Sequence, residues 1–347
     1  MGLPAIPIGR CGFRAVKRCR AAQGARSSCS GDPCRGRTLH HSAQQWRLLR
    51  KAPQPCVGAL FRPGDGLRPL QPSGQDETMK IIQLTDPHLV PNGSLLRGID
   101  PQARLRACLA EIEAHHLDAQ ALVVSGDVTD LADRASYELF RDVVDEFSLP
   151  PLYVTVGNHD RRSVFGAVFP QHLAPDGYAH KRFDLGDHVG LLLDTWTMGT
   201  HAGAFDRVRL DWLSARLAEG HQPVLMFMHH APVRVGLKRL DHIALQNEDE
   251  FWEAIAPFKS RIRHMFFGHM HRNVAGSWRG VPFTVAAGLT HQVMLDFQTE
   301  IVRHVEVEPY FSVILVNSRD VVVHPHAIRD AKIIDIAPDA TRPSRAL

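Results

Sequence analysis

Long apolar runs are missing from this 347-residue chain: no stretch of about 18 apolar residues occurs, so nothing in it reads as a membrane span. Cysteine is nearly missing from most of it as well. Cys11, Cys19, Cys29, Cys34 and Cys56 crowd into the first segment, and Cys108 stands alone beyond them. A body with a single cysteine carries no disulfide framework, which suits a reducing cytoplasm. Acid is scarce in residues 1–75, where 13 Lys and Arg face only Asp32 and Asp65. The other 272 residues hold 27 basic and 35 acidic side chains, a balance of −8, so the overall charge of +3 hides an acidic body.

Residues 1–78 show no sustained strand or helix period and are rich in Arg, Pro, Gly, Ser and Gln. Such a segment cannot bury enough apolar surface to offset chain entropy, and it is expected to be a disordered basic extension. Its Arg-rich composition suggests a transit peptide, but its prolines break any amphipathic helix, and no continuous apolar stretch marks a signal peptide. A nucleic-acid tail would want stacking rings, and only Phe13, Trp46 and Phe61 are there. No stable nucleic-acid partner is expected. The favoured reading takes Met79 as the true start, because Met79-Lys80-Ile81-Ile82 opens the first strand directly.

From residue 80 the chain alternates short apolar runs with helical periods, and it contains no internal repeat. Strands are expected over 81–84, 121–124, 152–156, 189–193, 224–228 and at Phe266-Phe267. Asp100-Pro101 reads as a helix cap followed by proline at the first helical position, with Leu105, Cys108, Leu109 and Ile112 as one stripe. Tyr137, Phe140, Val144 and Phe147 mark a second helix. Asp206 caps another, with Leu210, Leu213 and Leu217 inward and Gly220 as its stop. Further strands at 281–286, 311–316 and 321–324 lack helices between them. The pattern implies an α/β core with a strand-rich C-terminal extension from about residue 290.

The strand ends carry the chemistry. Asp86 and His88, Asp127, Asn158 and His159, His229, and His269 with His271 each follow an apolar run. In open α/β sheets, sites form outside the carboxyl ends of strands, so these residues can converge. Imidazole with carboxylate and amide oxygen is a donor set suited to zinc, manganese, iron or cobalt. His269 and His271, one residue apart on extended backbone, can serve two ions side by side or one ion twice. Asp130 and Asp160 read as residues that orient loops or ligating histidines, and His230 as packing or substrate-side. Arg161 and Arg162 could meet a phosphate but read first as solvated surface charges; His115, His116, His188 and His201 read as surface residues, and Asp194 as a strand-end acceptor.

The motifs Asp86-x-His88, Gly126-Asp127-x-x-Asp130, Gly157-Asn158-His159-Asp160, His229-x-x-Pro232 and Gly268-His269-x-His271 occur in this order. Together they resemble the calcineurin-like metallophosphoesterases over residues 80–290. Leu95-Leu96-Arg97-Gly98, Leu191-Leu192-Leu193-Asp194-Thr195 and Leu210-Asp211-Trp212-Leu213 make the chain most similar to the bacterial class III cyclic-nucleotide phosphodiesterases and related glycerophosphodiesterases. The resemblance implies a sandwich of two mixed β-sheets flanked by helices, and two divalent or transition-metal ions. It implies Asp127 as their bridge, with Asp86, His88 and His271 at the first ion and Asn158, His229 and His269 at the second. His159 is the implied catalytic residue, facing the phosphate with Asn158, and His291 is a further candidate for substrate contact.

A charge count supports a diester. Two divalent ions, two aspartates and one hydroxide leave a single positive charge, matched to a monoanionic phosphodiester. The expected activity is hydrolysis of a small phosphodiester, foremost a 3′,5′-cyclic nucleotide. A glycerophosphodiesterase or broad phosphatase on the same core is the alternative, and a non-catalytic scaffold is a third. No membrane partner is expected, and a homo-oligomer is left open.

Overall fold

In the computed structural model, residues 78–328 are described; the extension expected over residues 1–78 lies outside them except for its last residue, as do residues 329–347. In chain order the elements are β1 Met79–Leu84, α1 Pro101–His115, β2 Ala121–Ser125, α2 Arg134–Val144, β3 Leu152–Thr155 and α3 Arg162–Val168. β4 Lys181–Leu185, β5 His188–Leu193, α4 Arg207–Ala218, β6 Val224–Met228, α5 Lys238–His242, α6 Glu248–Ile255 and β7 Ile262–Phe267 follow. The rest is strand: β8 Val274–Trp278, β9 Val281–Val285, the short β10 Gln292–Val293 and β11 His304–Val305, then β12 Tyr310–Val316 and β13 Val321–Ala327.

Two mixed sheets result, in the orders β13-β12-β1-β2-β3 and β4-β5-β6-β7-β9-β8. β1, β2 and β3 run parallel, as do β5, β6, β7 and β9, while β12, β13, β4 and β8 join antiparallel. The strand-rich tail is built into the first sheet, since β12 pairs with β1 from Met79↔Val316 to Gln83↔Ser312.

Strand alternation divides the core into layers. Ile81, Val123, Phe183, Leu225, Phe227, Phe266 and Ile314 face inward and pack the two sheets together. Ile82, Leu84, Leu122 and Val124 point the other way, onto Leu105, Leu109, Tyr137 and Phe140 of α1 and α2. Met226, Met228, Met265 and Phe267 turn towards Leu213 and Leu217 of α4 and Phe251 of α6. With both faces of the parallel strands covered, near-continuous apolar runs are what the layers require. The caps also form: Asp100 accepts the Ala103 N–H at 3.0 Å and Asp206 the Arg209 N–H at 3.0 Å, each a contribution of about 1 kcal/mol.

Several elements differ from expectation. α2 ends at Val144, so its buried stripe is Tyr137, Phe140 and Val143, and Phe147 lies beyond the helix. No strand is expected at β4 or β8, and both are edge strands with exposed positions. His188, expected at the surface, is buried where β5 begins. Among the described residues no helix is long and apolar enough to cross a membrane.

Candidate metal centre and active site

All the strand-end residues gather at one end of the sandwich. β1, β2 and β3 of the first sheet lead into Asp86 and His88, Asp127, and Asn158 and His159; β6 and β7 of the second lead into His229 and into His269 and His271. The chain turns here at a cost. Asp86, His88, Asp127, His269 and His271 all adopt left-handed backbone, with φ of 54°, 46°, 49°, 69° and 47°. Non-glycine residues in that region are strained by about 1–3 kcal/mol each, and such strain clusters at functional sites. Hydrogen bonds hold the turns: Asp86 N–H donates to the Gly126 carbonyl at 3.1 Å and His88 N–H to the Asp127 carbonyl at 2.9 Å.

The glycines supply room. A Cβ on Gly268 would fall 2.0 Å from Thr85 Oγ1, and one on Gly126, whose φ is +104°, would fall 2.6 Å from His229 Nδ1.

Asp86, His88, Asp127 and His271 form one buried group whose ligand atoms lie within 4.8 Å of one another. His229, His230 and His269 form another. The hydrogen bonds separate ligand from neighbour. His88 Nδ1–H donates to Asp130 Oδ1 at 3.2 Å, and His271 Nδ1–H donates to the His291 carbonyl at 3.0 Å. Both rings therefore turn Nε2 inward, 3.1 Å apart, with Asp86 Oδ1 3.3 Å from that of His271. Such a cluster of nitrogens and carboxylates calls for something positive between them, and Asp86, against burial, raises the His271 imidazole above its ordinary value.

The second group repeats the pattern. His229 Nδ1–H donates to the Ser125 carbonyl at 2.9 Å, leaving Nε2 facing Asn158 Oδ1 at 3.1 Å and Asp127 Oδ2 at 3.3 Å. His269 Nε2 and Asp86 Oδ1 are buried with no hydrogen-bond partner. His230 is different. Its Nε2–H donates to the His201 carbonyl at 3.1 Å and its Nδ1 accepts from Thr195 Oγ1 at 2.7 Å, so both nitrogens are used and it offers no lone pair to an ion. The residues present fit two cations, with Asp127 Oδ2 3.5 Å from His88 Nε2 and 3.3 Å from His229 Nε2, placed to serve both.

Electrostatics agree. Burial works against charge on Asp86 and Asp127, yet the imidazoles around them, His271 and His229 foremost, hold both carboxyls below their usual range. Burial lowers His88 and brings His269 down to about 3, so both are neutral ligands at pH 7. Burial also opposes a proton on His229, but Asp127 and Asp86 overcome it and push that imidazole up to about 9. Where no metal sits, a proton is what the paired carboxylates attract, and the two compete.

His159 stands at the rim. Its backbone N–H donates to Asp127 Oδ1 at 2.8 Å and its Nδ1–H to the Asp130 carbonyl at 2.8 Å, which leaves Nε2 for chemistry. Beside it a cavity of about 1030 Å³ opens, lined by Asn158, His159, Arg161, Arg162, Trp196 and His201 among others. Asp160 ties the loops together, accepting from Val128 N, Thr129 N, Gly157 N and Tyr137 Oη at 2.8–3.2 Å. His291 is buried with its ring stacked on His271 at 4.4 Å, and it is not among the residues lining this cavity.

Asp194 is the strand-end acceptor expected of it, while Arg162 and His201 do more than surface residues would. Arg162, read as a surface residue, grips buried Asp194 with two bonds of 2.7 and 3.0 Å and lies against the rings of Tyr178 and Trp196. Asp194 thereby anchors a wall of the cavity. His201 is exposed, as expected of a surface residue, but it sits at the site, its Nδ1 3.0 Å from Asn158 Nδ2. No motif marks Arg162 or His201, whose partners are 32 and 43 residues away, whereas Asp194 stands in the strand end at 191–195.

Comparisons with known proteins point the same way. A probable cyclic nucleotide phosphodiesterase of Rhodopseudomonas palustris is 35% identical over 227 residues, covering 64% of this chain and 82% of that protein. The 3′,5′-cyclic adenosine monophosphate phosphodiesterase CpdA of Haemophilus influenzae is 29% identical over 205 residues, covering 58% and 73%. A probable glycerophosphodiester phosphodiesterase GpdQ of Arcobacter nitrofigilis is 26% identical over 243 residues, covering 67% and 86%. Among solved structures, a dimetal phosphatase from Danio rerio shares the fold with a TM-score of 0.53 at 14% identity, over 72% of this chain and 96% of that one. The family model described as calcineurin-like phosphoesterase matches residues 79–273, from the first residue of β1 to just past His271. With that match and the Rhodopseudomonas relative, this chain belongs to the calcineurin-like phosphoesterase family.

Proposed function

We propose that this protein hydrolyses small phosphodiesters, with 3′,5′-cyclic nucleotides as its substrates. One observation carries the reading: inward-facing imidazole nitrogens and carboxylate oxygens converge as two cation seats sharing Asp127, directly beside His159 and the large cavity. Relatives named as cyclic nucleotide phosphodiesterases support the substrate class.

Asp86, His88, Asp127 and His271 would hold one ion, and Asp127, Asn158, His229 and His269 the other. Iron, manganese, zinc and cobalt suit this mixture of nitrogen and oxygen donors. When bound, the ions supply Lewis-acid polarisation of the phosphoryl oxygens and bring the pKa of a water towards about 7.

The chain's own residues set the rest. As the water oxygen bonds to phosphorus, the bond to the departing ribose oxygen breaks, and that oxygen must gain a proton. His159 is fixed through Nδ1 to the Asp130 carbonyl, so Nε2 is the atom that can hold and deliver this proton. Such a step contributes typically 10²–10⁴-fold. Arg161 brings positive charge to the cavity wall, suited to an anionic substrate, while the charge of Arg162 is matched by Asp194.

The test is hydrolysis of bis(p-nitrophenyl) phosphate beside p-nitrophenyl phosphate, then of cyclic AMP and glycerophosphodiesters, by metal-stripped protein with manganese returned. Metal-dependent cleavage favouring diesters, with cyclic AMP foremost, is the expected result. Preference for glycerophosphodiesters would assign the alternative substrate. Two bound ions without hydrolysis of any ester would overturn catalysis altogether.

A further inference from the structure

Asn158 stands between two histidines. Its Oδ1 lies 3.1 Å from His229 Nε2, and its Nδ2 lies 3.0 Å from His201 Nδ1. An amide nitrogen only donates, so His201 Nδ1 is the acceptor and that ring carries its proton on Nε2. This matters because a carboxamide turned by half a revolution fits the same space with oxygen and nitrogen exchanged. Turned, Asn158 would present NH2 to the seat it shares with His229 and His269, and a cation there would lose an oxygen and meet two protons. Only hydrogen bonds choose between the two orientations.

His201 is itself held in place. His230, fully buried, donates Nε2–H to the His201 carbonyl at 3.1 Å and accepts from Thr195 Oγ1 at 2.7 Å. One ring thus pins both ends of the 195–201 loop. The loop is seated further by Ala204 N–H on the Thr195 carbonyl at 3.1 Å and Gln246 N–H on the Gly203 carbonyl at 2.8 Å. Gly203 leaves the space that His230 fills: a Cβ there would fall 2.4 Å from its Cγ.

We propose that His201 is a positioning residue for the second cation seat: it accepts from Asn158 Nδ2 and so fixes the amide oxygen towards His229, with His230 holding the loop that carries it. The inference rests on Asn158 being a ligand, and goes beyond it by naming what orients that ligand.

The test is calorimetric titration of manganese into metal-stripped, full-length protein. Wild type is expected to take up two ions. His201→Ala is expected to bind the first as wild type does and the second about 10–100-fold more weakly, the usual loss when a ligand's outer hydrogen-bond partner is removed. His201→Gln, whose Oε1 can accept from the same Nδ2, is expected to restore most of that affinity. Asn158→Ala is expected to lose the second ion, and adding His201→Ala to it should change nothing more. Wild-type affinity for both ions in His201→Ala, with Asn158→Ala impaired, overturns this inference alone. So does a double variant weaker than Asn158→Ala by the full His201 effect. Asn158→Ala with both ions intact, or wild type with fewer than two, overturns the ligand reading and this inference with it.

Discussion

Gly157→Ala offers a direct trial of how tightly the metal seats are built. Its backbone is not in the left-handed region, so alanine brings no conformational penalty there; the obstacle is space. A Cβ would fall 2.2 Å from Asp127 Oδ1, 2.4 Å from Asp127 N and 2.7 Å from His229 Nε2. None of these atoms is the end of a flexible side chain. Asp127 Oδ1 is held by the His159 N–H at 2.8 Å, and the His229 ring by the Ser125 carbonyl at 2.9 Å. Forcing an extra carbon into a packed interior costs about 1–3 kcal/mol. At roughly 2–4 °C per kcal/mol for a domain of this size, the metal-free variant should melt about 2–12 °C lower. The sharper readout is the response to manganese. At 100 times its dissociation constant each ion adds about 2.7 kcal/mol to stability, so wild type with two ions should gain about 11–22 °C. Gly157→Ala should lose most of that gain, because the displaced atoms are the bridging carboxylate and a ligand nitrogen. Gly93→Ala is the control: φ is +79° with nothing within 4 Å, so backbone strain is introduced far from any crowding. It should melt lower yet keep the whole manganese shift. A full shift in Gly157→Ala would refute the placement of both seats against Asp127.

The other expectations are more compact. Asp127→Ala removes the carboxylate nearest to both His88 and His229, at 3.5 and 3.3 Å against 3.9 Å for Asp86, and should abolish binding of both ions together in equilibrium dialysis; retention of either refutes the shared bridge. His159→Ala should keep both ions and lower turnover by about 10²–10⁴-fold, and loss of metal instead would make His159 a ligand. Arg162→Met leaves buried Asp194 without its two-pronged partner and should cost about 3–5 kcal/mol in urea unfolding, softened by Arg209 at 3.6 Å; an unchanged midpoint would contradict it. Burial holds the His172 and His264 imidazoles down to about 4, with Lys181 adding to the first, against an ordinary 6.5. Each fold-favoured neutral ring contributes fully above 6.5, and the contribution is lost as pH falls towards 4, by about 2 kcal/mol per group at pH 5. His264→Leu should therefore lose less stability than wild type between pH 7 and pH 5, and an equal loss would sink the assignment.

The motif residues could be read from sequence because each sits where an apolar strand run stops, so position and chemistry coincide at Asp86, Asp127, Asn158, His229 and His269. The layer pattern could be read too, since Leu225 and Phe227 alternate with Met226 and Met228. Other features leave no such trace. β8 is Val-Ala-Gly-Ser-Trp at a sheet edge, exposed and without alternation, so nothing separates it from a loop. β4 is more instructive: Phe183 and Leu185 do alternate with charged residues, but a five-residue edge strand gives too few repeats to stand out. The left-handed backbone of five candidate ligand residues violates local preference, and only the surrounding hydrogen bonds make it affordable. Which histidine nitrogen faces inward is likewise a fact about partners such as the Ser125 and His291 carbonyls, not about histidine.

One consequence of the topology is that neither sheet can complete a seat alone. The first group takes Asp86, His88 and Asp127 from the ends of β1 and β2 and His271 from the end of β7. The second takes Asp127 and Asn158 from the first sheet and His229 and His269 from the second. An ion in either seat would therefore tie the two sheets together at one end of the sandwich, while Ile81, Val123, Phe227 and Phe266 join them along its length. Metal binding and inter-sheet packing are then linked free energies, because whatever shifts one sheet against the other changes the distance from Asp127 to His229. That linkage is why crowding at Gly157, between the two sheets' ligands, should appear in the manganese response more strongly than in the melting point itself.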